Sequence, residues 1–179
     1  MKLENYYPNK RVRLMFQDKA GFGRINKPKY CWCNEIIRPK VPCHHIRDCR
    51  YVYAAVEPKT GEIFFLVMPN CNTDCMNVFI NRLSSEYEED MIILVCDKAL
   101  WHKSKGLDIP DDVEILHIPP YTPEMNPIEQ ILKQIRQMRF KNEEFKTLKA
   151  VINRLCKTIN KLTNEMVKSI TLRKWISEI

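Results

Sequence analysis

The chain has no run of about 18 apolar residues, so it offers no segment able to cross a membrane as a helix. Its opening residues, Met1-Lys2-Leu3-Glu4-Asn5, carry no apolar signal region, and secretion is not expected. A cytoplasmic protein is expected, nucleoid-associated if the host is bacterial. There is no internal repeat and negligible low-complexity sequence, which leaves one globular domain. Disulfides are not required either. The eight cysteines belong to a chain large enough to build a core, and a protein that is not secreted keeps its thiols reduced.

What is present is an ordinary globular composition over 179 residues, 45% apolar and 28% charged. The net charge is +7, and it is unevenly placed. Residues 1–125 hold 17 basic and 17 acidic side chains, whereas residues 126–179 hold 12 and 5. A basic C-terminal region on a neutral body suggests a polyanion as partner, with a solvated helix surface as the plainer alternative.

The pattern predicts a flexible polar arm over 1–9, then a strand over Arg11–Asp18 that ends at the acid. Residues 19–46 read as a long irregular insertion, of a length that is usually functional. Strands over 50–56 and 63–68, joined by a turn at 57–62, predict a hairpin. A helix capped by Thr73 or Asp74 runs to about Tyr87, with Met76, Phe79, Ile80 and Leu83 on one face. Met91–Cys96 is continuously apolar, as in a strand buried on both faces, and ends at Asp97. A fifth strand spans 113–118, linked to the fourth by a crossover. A helix follows from Asn126, with Ile128, Ile131, Leu132, Ile135 and Met138 as its apolar stripe. One more helical region, basic and reaching from about Phe145 into 143–179, places apolar residues at steps of four and three up to Met166. The layout is mixed α/β.

Three carboxylates then share one property: each sits where an element ends. Asp18 and Asp97 close strands, and Glu129 opens a helix approached through the rigid Pro119-Pro120-Tyr121-Thr122-Pro123. Carboxyl ends of strands are where α/β sheets place their sites. Each acid also has a local explanation. Asp18 and Asp97 would serve as turn formers. Glu129, three residues after Asn126, stands at the capping-box position behind Pro127. Together they offer oxygen ligands for two Mg²⁺ or Mn²⁺ ions acting in phosphoryl transfer.

The segments Phe16-Gln17-Asp18, Ile92-Ile93-Leu94-Val95-Cys96-Asp97 with Ala99 and His102, and Pro120-Tyr121-Thr122-Pro123-Glu124-Met125-Asn126-Pro127-Ile128-Glu129 resemble the catalytic half of an IS630-type transposase. That group lies in the IS630/Tc1/mariner superfamily of DDE enzymes. The resemblance covers about residues 10–142, and the 32 residues between Asp97 and Glu129 are slightly under the usual family spacing. It implies an RNase H-like fold, a central mixed five-stranded sheet flanked by helices. It also implies metal-dependent strand cleavage at transposon ends and strand transfer to target DNA. Asp18, Asp97 and Glu129 would be the catalytic metal ligands, with His102 and Asn126 beside them; Glu124 precedes the helix and is set aside. The chain departs from the family at Lys19, where an acid is common, and at Lys98, where Asn or Gly is common. The family's N-terminal helix-turn-helix region is also absent; in similar elements a separate upstream reading frame can encode it, and the chain reads either as such a downstream product or as a truncated piece. These departures keep open a DNA-binding relic of the same fold. An RNase H-like nuclease acting on another nucleic acid is the further alternative.

Arg38, Lys40, Lys103, Lys105, Arg136, Arg139 and Lys141 are candidate contacts to double-stranded DNA. Cys31, Cys33, Cys43, His44, His45 and Cys49 carry metal-ligating atoms, but the one-residue gap in Cys31-Trp32-Cys33 is tighter than zinc knuckles use, and structural zinc is not expected. The four-three spacing of the last helical region predicts packing across the sheet, with a coiled-coil homodimer seam as the minority alternative.

Overall fold

A computed structural model describes residues 10–24, 32–40, 45–97, 106–119, 122–140 and 143–177, apart from the side chains of Pro123 and Arg139. The arm at 1–9 and the residues Lys98, His102, Lys103, Lys105 and Lys141 lie outside them, as do Cys31, Cys43 and His44. Five strands form one sheet in the order β3-β2-β1-β4-β5. They are β1 (Arg11–Gly23), β2 (Cys49–Glu57), β3 (Glu62–Met68), β4 (Asp90–Cys96) and β5 (Val113–His117). β1–β2 and β2–β3 pair antiparallel, while β1–β4 and β4–β5 pair parallel. The hairpin and the crossover therefore stand as expected, and the sheet is mixed.

Alternation across the pleat builds two cores. On one face, Met15, Tyr53, Ala55, Ile92 and Leu94 meet α1 (Thr73–Glu86) through Met76, Phe79, Ile80 and Leu83. On the other, Phe16, Val52, Ala54 and Val56 meet α2 (Ile128–Arg139), α3 (Leu148–Ile159), α4 (Asn164–Thr171) and the short α5 (Lys174–Ser177). The interior strand β4 is buried on both faces from Met91 to Cys96, which is why its sequence is continuously apolar.

Several local expectations are corrected. β1 does not stop at Asp18. It continues to Gly23, because Lys19 to Gly23 keep pairing with β2 at Tyr53 to Cys49. The irregular insertion thus begins later than residue 19 and ends before Cys49, where β2 starts. The cap of α1 is Asn72, whose side-chain oxygen accepts from the Cys75 amide at 3.0 Å. The last helical region is not continuous. Asn160 ends α3, and the extended Thr163 caps α4 by accepting from the Met166 amide. The break takes Met166 out of any common stripe and leaves it exposed, so no seam of four-three spacing forms. α3 and α4 instead cover β2 and β3, with Val151, Leu155 and Val167 fully buried. In α2 the stripe is buried as expected from Ile128 to Ile135, and Met138 is half-buried.

Candidate active site

The β1–β4 ladder pairs Phe16 with Val95 as its last couple. Carried two residues further, the same register sets Asp18 beside Asp97, which directly follows β4. Asp18 shares the side of β1 used by Phe16, Ala20 and Phe22, the side on which α2 packs. Asp97 likewise follows Val95 in the alternation and belongs to that face. Glu129 lies in the first turn of α2 above it. The register brings Asp18 beside Asp97 although β1 does not end there. Among the described residues, the pairing of β1 with β4 ends at Phe16 and Val95, two residues short of Asp18.

The electrostatics agree with that placement. Burial raises the Asp18 carboxyl to about 6, against the lowering effect of the Lys19 amide, and the charges of Asp97 and Glu129 push it further up. Burial also raises Glu129, followed by the charges of Asp97 and Glu124. Each of the three acids is therefore within the electrostatic reach of the others. Beneath them, the fully buried Cys96 thiol is pushed up by burial and feels both Asp97 and Asp18. Among the described residues no three acidic, histidine or cysteine side chains already enclose a point where one ion would sit.

Asp18 and Glu129 line a cleft of about 390 Å³ with Lys19, Gln130, Lys133 and Arg136. Glu129, Lys133 and Arg136 are spaced four and three residues apart, so one stripe of α2 carries an acid and then two cations away from the opening. Arg136 donates from Nη2 to the Gly21 carbonyl at 3.2 Å and lies over the Phe22 ring. The candidate contacts Arg38 and Lys40 are exposed in the insertion, away from any regular element. Arg139 ends α2, and the placement of its side chain lies outside the described residues. Glu124 is exposed in a 3-10 turn, Pro123–Met125, ahead of α2.

The capping box at α2 does not form. Pro127 has helical backbone angles and takes the cap position, with no side-chain cap bond. Asn126 turns away from the helix and donates from Nδ2 to the Gln17 carbonyl at 3.0 Å. Asn126 is 3% exposed, and its Oδ1 and both polar side-chain atoms of Gln17 are buried without a partner. The helix-capping account of Glu129 thereby loses its partner residue. Sequence reasoning also passed over Lys133 and His117. The first was visible four residues after Glu129. The second gave no motif signal; its Nδ1 lies 3.1 Å from the Asp97 carbonyl. The zinc candidates that are described, Cys33, His45 and Cys49, lie apart from this cleft in the insertion and at the start of β2, and Cys33 and His45 are exposed.

Residues 13–152 match the family model described as DDE superfamily endonuclease. The uncharacterized protein y4pE/y4sA of Sinorhizobium fredii is 30% identical over 128 residues, covering 70% of this chain and 95% of that protein. Among solved structures, the Mos1 transposase paired-end complex with left transposon end superposes with a TM-score of 0.68 at 14% identity, over 94% of this chain and 53% of that one. The Mos1 mariner paired-end complex with Mn gives 0.67 at 14%, over 89% and 51%. A simian T-cell lymphotropic virus intasome gives 0.53 at 11%, over 87% and 50%. The chain thus spans about half the length of the solved transposases it matches. The fold is RNase H-like.

Proposed function

The chain belongs to the DDE superfamily endonucleases, a class of metal-dependent nucleases and transposases, and from that premise we propose that it is the catalytic domain of a DNA transposase, cleaving strands at transposon ends and transferring them to target DNA. One observation carries the reading. Asp18 from β1, Asp97 from the end of β4 and Glu129 from the start of α2 share one face and one another's fields. The assignment of the chain to the IS630 branch rests on the Pro-Tyr-Thr-Pro-Glu-Met-Asn-Pro-Ile-Glu segment.

The donor set suits a hard divalent cation. All three ligands are carboxylates, the Asp18 carboxyl is held up to about 6 by burial and then by the charges of its neighbours, and a buried amide oxygen of Asn126 stands unpartnered nearby. Bound there, two Mg²⁺ or Mn²⁺ ions would activate a water or 3′-hydroxyl and stabilise the leaving oxygen. The protein's own part is positioning. β1 and β4 hold two ligands in register, and α2 brings the third over the open edge. Lys133 and Arg136 continue from Glu129 as a cationic wall for the phosphate backbone, with Lys19 next to Asp18 on β1. Arg38, Lys40, Lys103, Lys105, Arg139 and Lys141 extend that contact in the same reading. A homodimer and a DNA-binding region supplied from upstream complete the assembly we envisage.

The test is nicking of a double-stranded transposon-end DNA with Mg²⁺ or Mn²⁺. Wild type should cleave, whereas Asp97→Asn and Glu129→Gln should lose cleavage while still binding DNA. Unchanged cleavage by Glu129→Gln rejects the metal role. Lys19 favours a second reading, because its positive charge already acts on Asp18. In a DNA-binding relic, binding would fall steeply with salt while Mn²⁺ finds no site that depends on the carboxylates.

A further inference from the structure

Asp97 lies just past the last residue of β4, where the ladder to β1 has already ended at Phe16 and Val95. On the β5 side, the last backbone bond among the described residues runs from the Ile118 amide to the Cys96 carbonyl, at 3.0 Å. The Asp97 carbonyl is taken up by a side chain. Nδ1 of His117, the last residue of β5, lies 3.1 Å from it. A carbonyl oxygen only accepts, so Nδ1 carries the proton in this contact. His117 pairs with Cys96 and follows Val113 and Ile115 on the α1 face of the sheet. The imidazole therefore grips the Asp97 backbone from the face opposite the one its carboxylate serves.

We propose that His117 is the positioning residue of Asp97: its Nδ1–H replaces the ladder bond that β4 no longer makes and fixes the direction in which the Asp97 carboxylate leaves the sheet. The role rests on the metal-binding reading of Asp18, Asp97 and Glu129, but the bond itself does not. Asn126 does the equivalent at β1, donating to the Gln17 carbonyl one residue before Asp18. Two side chains thus finish the backbone hydrogen bonding at the point where the sheet opens. His117 is not among the residues that line the cleft, and its proposed role is exerted through Asp97. Groups that orient metal ligands from behind typically change metal affinity by about 10–100-fold when removed.

Two measurements decide it. Long-range ¹H–¹⁵N spectra of the imidazole in the full chain should show the Nδ1–H tautomer for His117; an Nε2–H tautomer overturns the bond whatever the metal does. Mn²⁺ titration followed by electron paramagnetic resonance is then compared for wild type, His117→Ala and His117→Asn. The asparagine amide nitrogen reaches close to the place of Nδ1 and keeps a donor there. His117→Ala should weaken Mn²⁺ binding by about 10-fold or more, and His117→Asn should restore most of it. Equal affinity in wild type and His117→Ala, or equal loss in both variants, overturns the positioning role. A wild type whose Mn²⁺ binding is indifferent to Asp97→Asn overturns the metal site beneath it, and the tautomer separates that failure from failure of the bond.

Discussion

Asn126 donates a hydrogen bond of 3.0 Å from its side-chain amide to the backbone carbonyl of Gln17, and this ties the approach to α2 to the strand residue preceding Asp18. The bond joins positions 109 residues apart in the chain. It sets Glu129 over the open edge of β1 rather than leaving the helix start to cap itself. Asn126→Asp removes the donor at constant size and leaves the Gln17 carbonyl unpaired. A stability loss of about 1–3 kcal/mol in urea denaturation is expected. Mn²⁺ affinity should fall as well, because Asp18 and Glu129 lose their common reference.

The raised Asp18 carboxyl has a pH consequence. Its folded pKa of about 6 lies above the ordinary 3.8, so the folded state holds the proton more tightly than the unfolded one. In the absence of metal, stability is therefore highest at low pH in this respect and is lost as pH rises from about 4 through about 6. Glu129, shifted in the same direction, adds to the trend. At about 1.4 kcal/mol per unit the Asp18 contribution is of the order of 2–3 kcal/mol. Asp18→Asn should flatten that part of the profile and raise stability at pH 7.5, measured by urea denaturation at both ends of the window. Added Mn²⁺ should oppose the loss in wild type, since a cation takes the place of the proton.

Arg13 anchors the other end of β1. It is 6% exposed, with Nη1 2.6 Å from Glu57 and further bonds to Glu62 and Asp90, and it lies 4.3 Å from the centre of the Tyr87 ring. Burial works against its charge, but the three acids outweigh this and hold the guanidinium above its ordinary range. Arg13→Met strands the buried Glu57, and a loss of about 3–5 kcal/mol is expected. Five residue steps along the strand, about 16 Å, separate Arg13 from Asp18. At a temperature where the variant stays folded, its Mn²⁺ affinity should match wild type.

Gly61 turns the hairpin between β2 and β3 with a φ of 82°. A Cβ there would lie 2.1 Å from the Asn164 carbonyl oxygen at the start of α4. Gly61→Ala should cost about 1–3 kcal/mol through the backbone alone, and more as α4 is pushed off the hairpin. Thermal unfolding by circular dichroism reads this directly, and an unchanged midpoint would contradict the contact.

The order of elements, the apolar stripe of α1, the doubly buried β4 and the basic C-terminal region were all legible in the residues themselves. Each depends on local periodicity or composition. The choice of Asp18, Asp97 and Glu129 as a candidate set came from nearby residues too, although the strand end expected at Asp18 is not there. Tertiary structure decided the rest. β1 outruns Asp18 because β2 keeps offering it partners, and no local signal reports that. Asn126 gives up a cap it could have made because a carbonyl 109 positions earlier is left open where β4 stops. His117 meets Asp97 only because β5 lies parallel to β4. Side-chain chemistry near in sequence declares itself by pattern; bonds that replace a missing ladder exist only once the strands have been laid side by side.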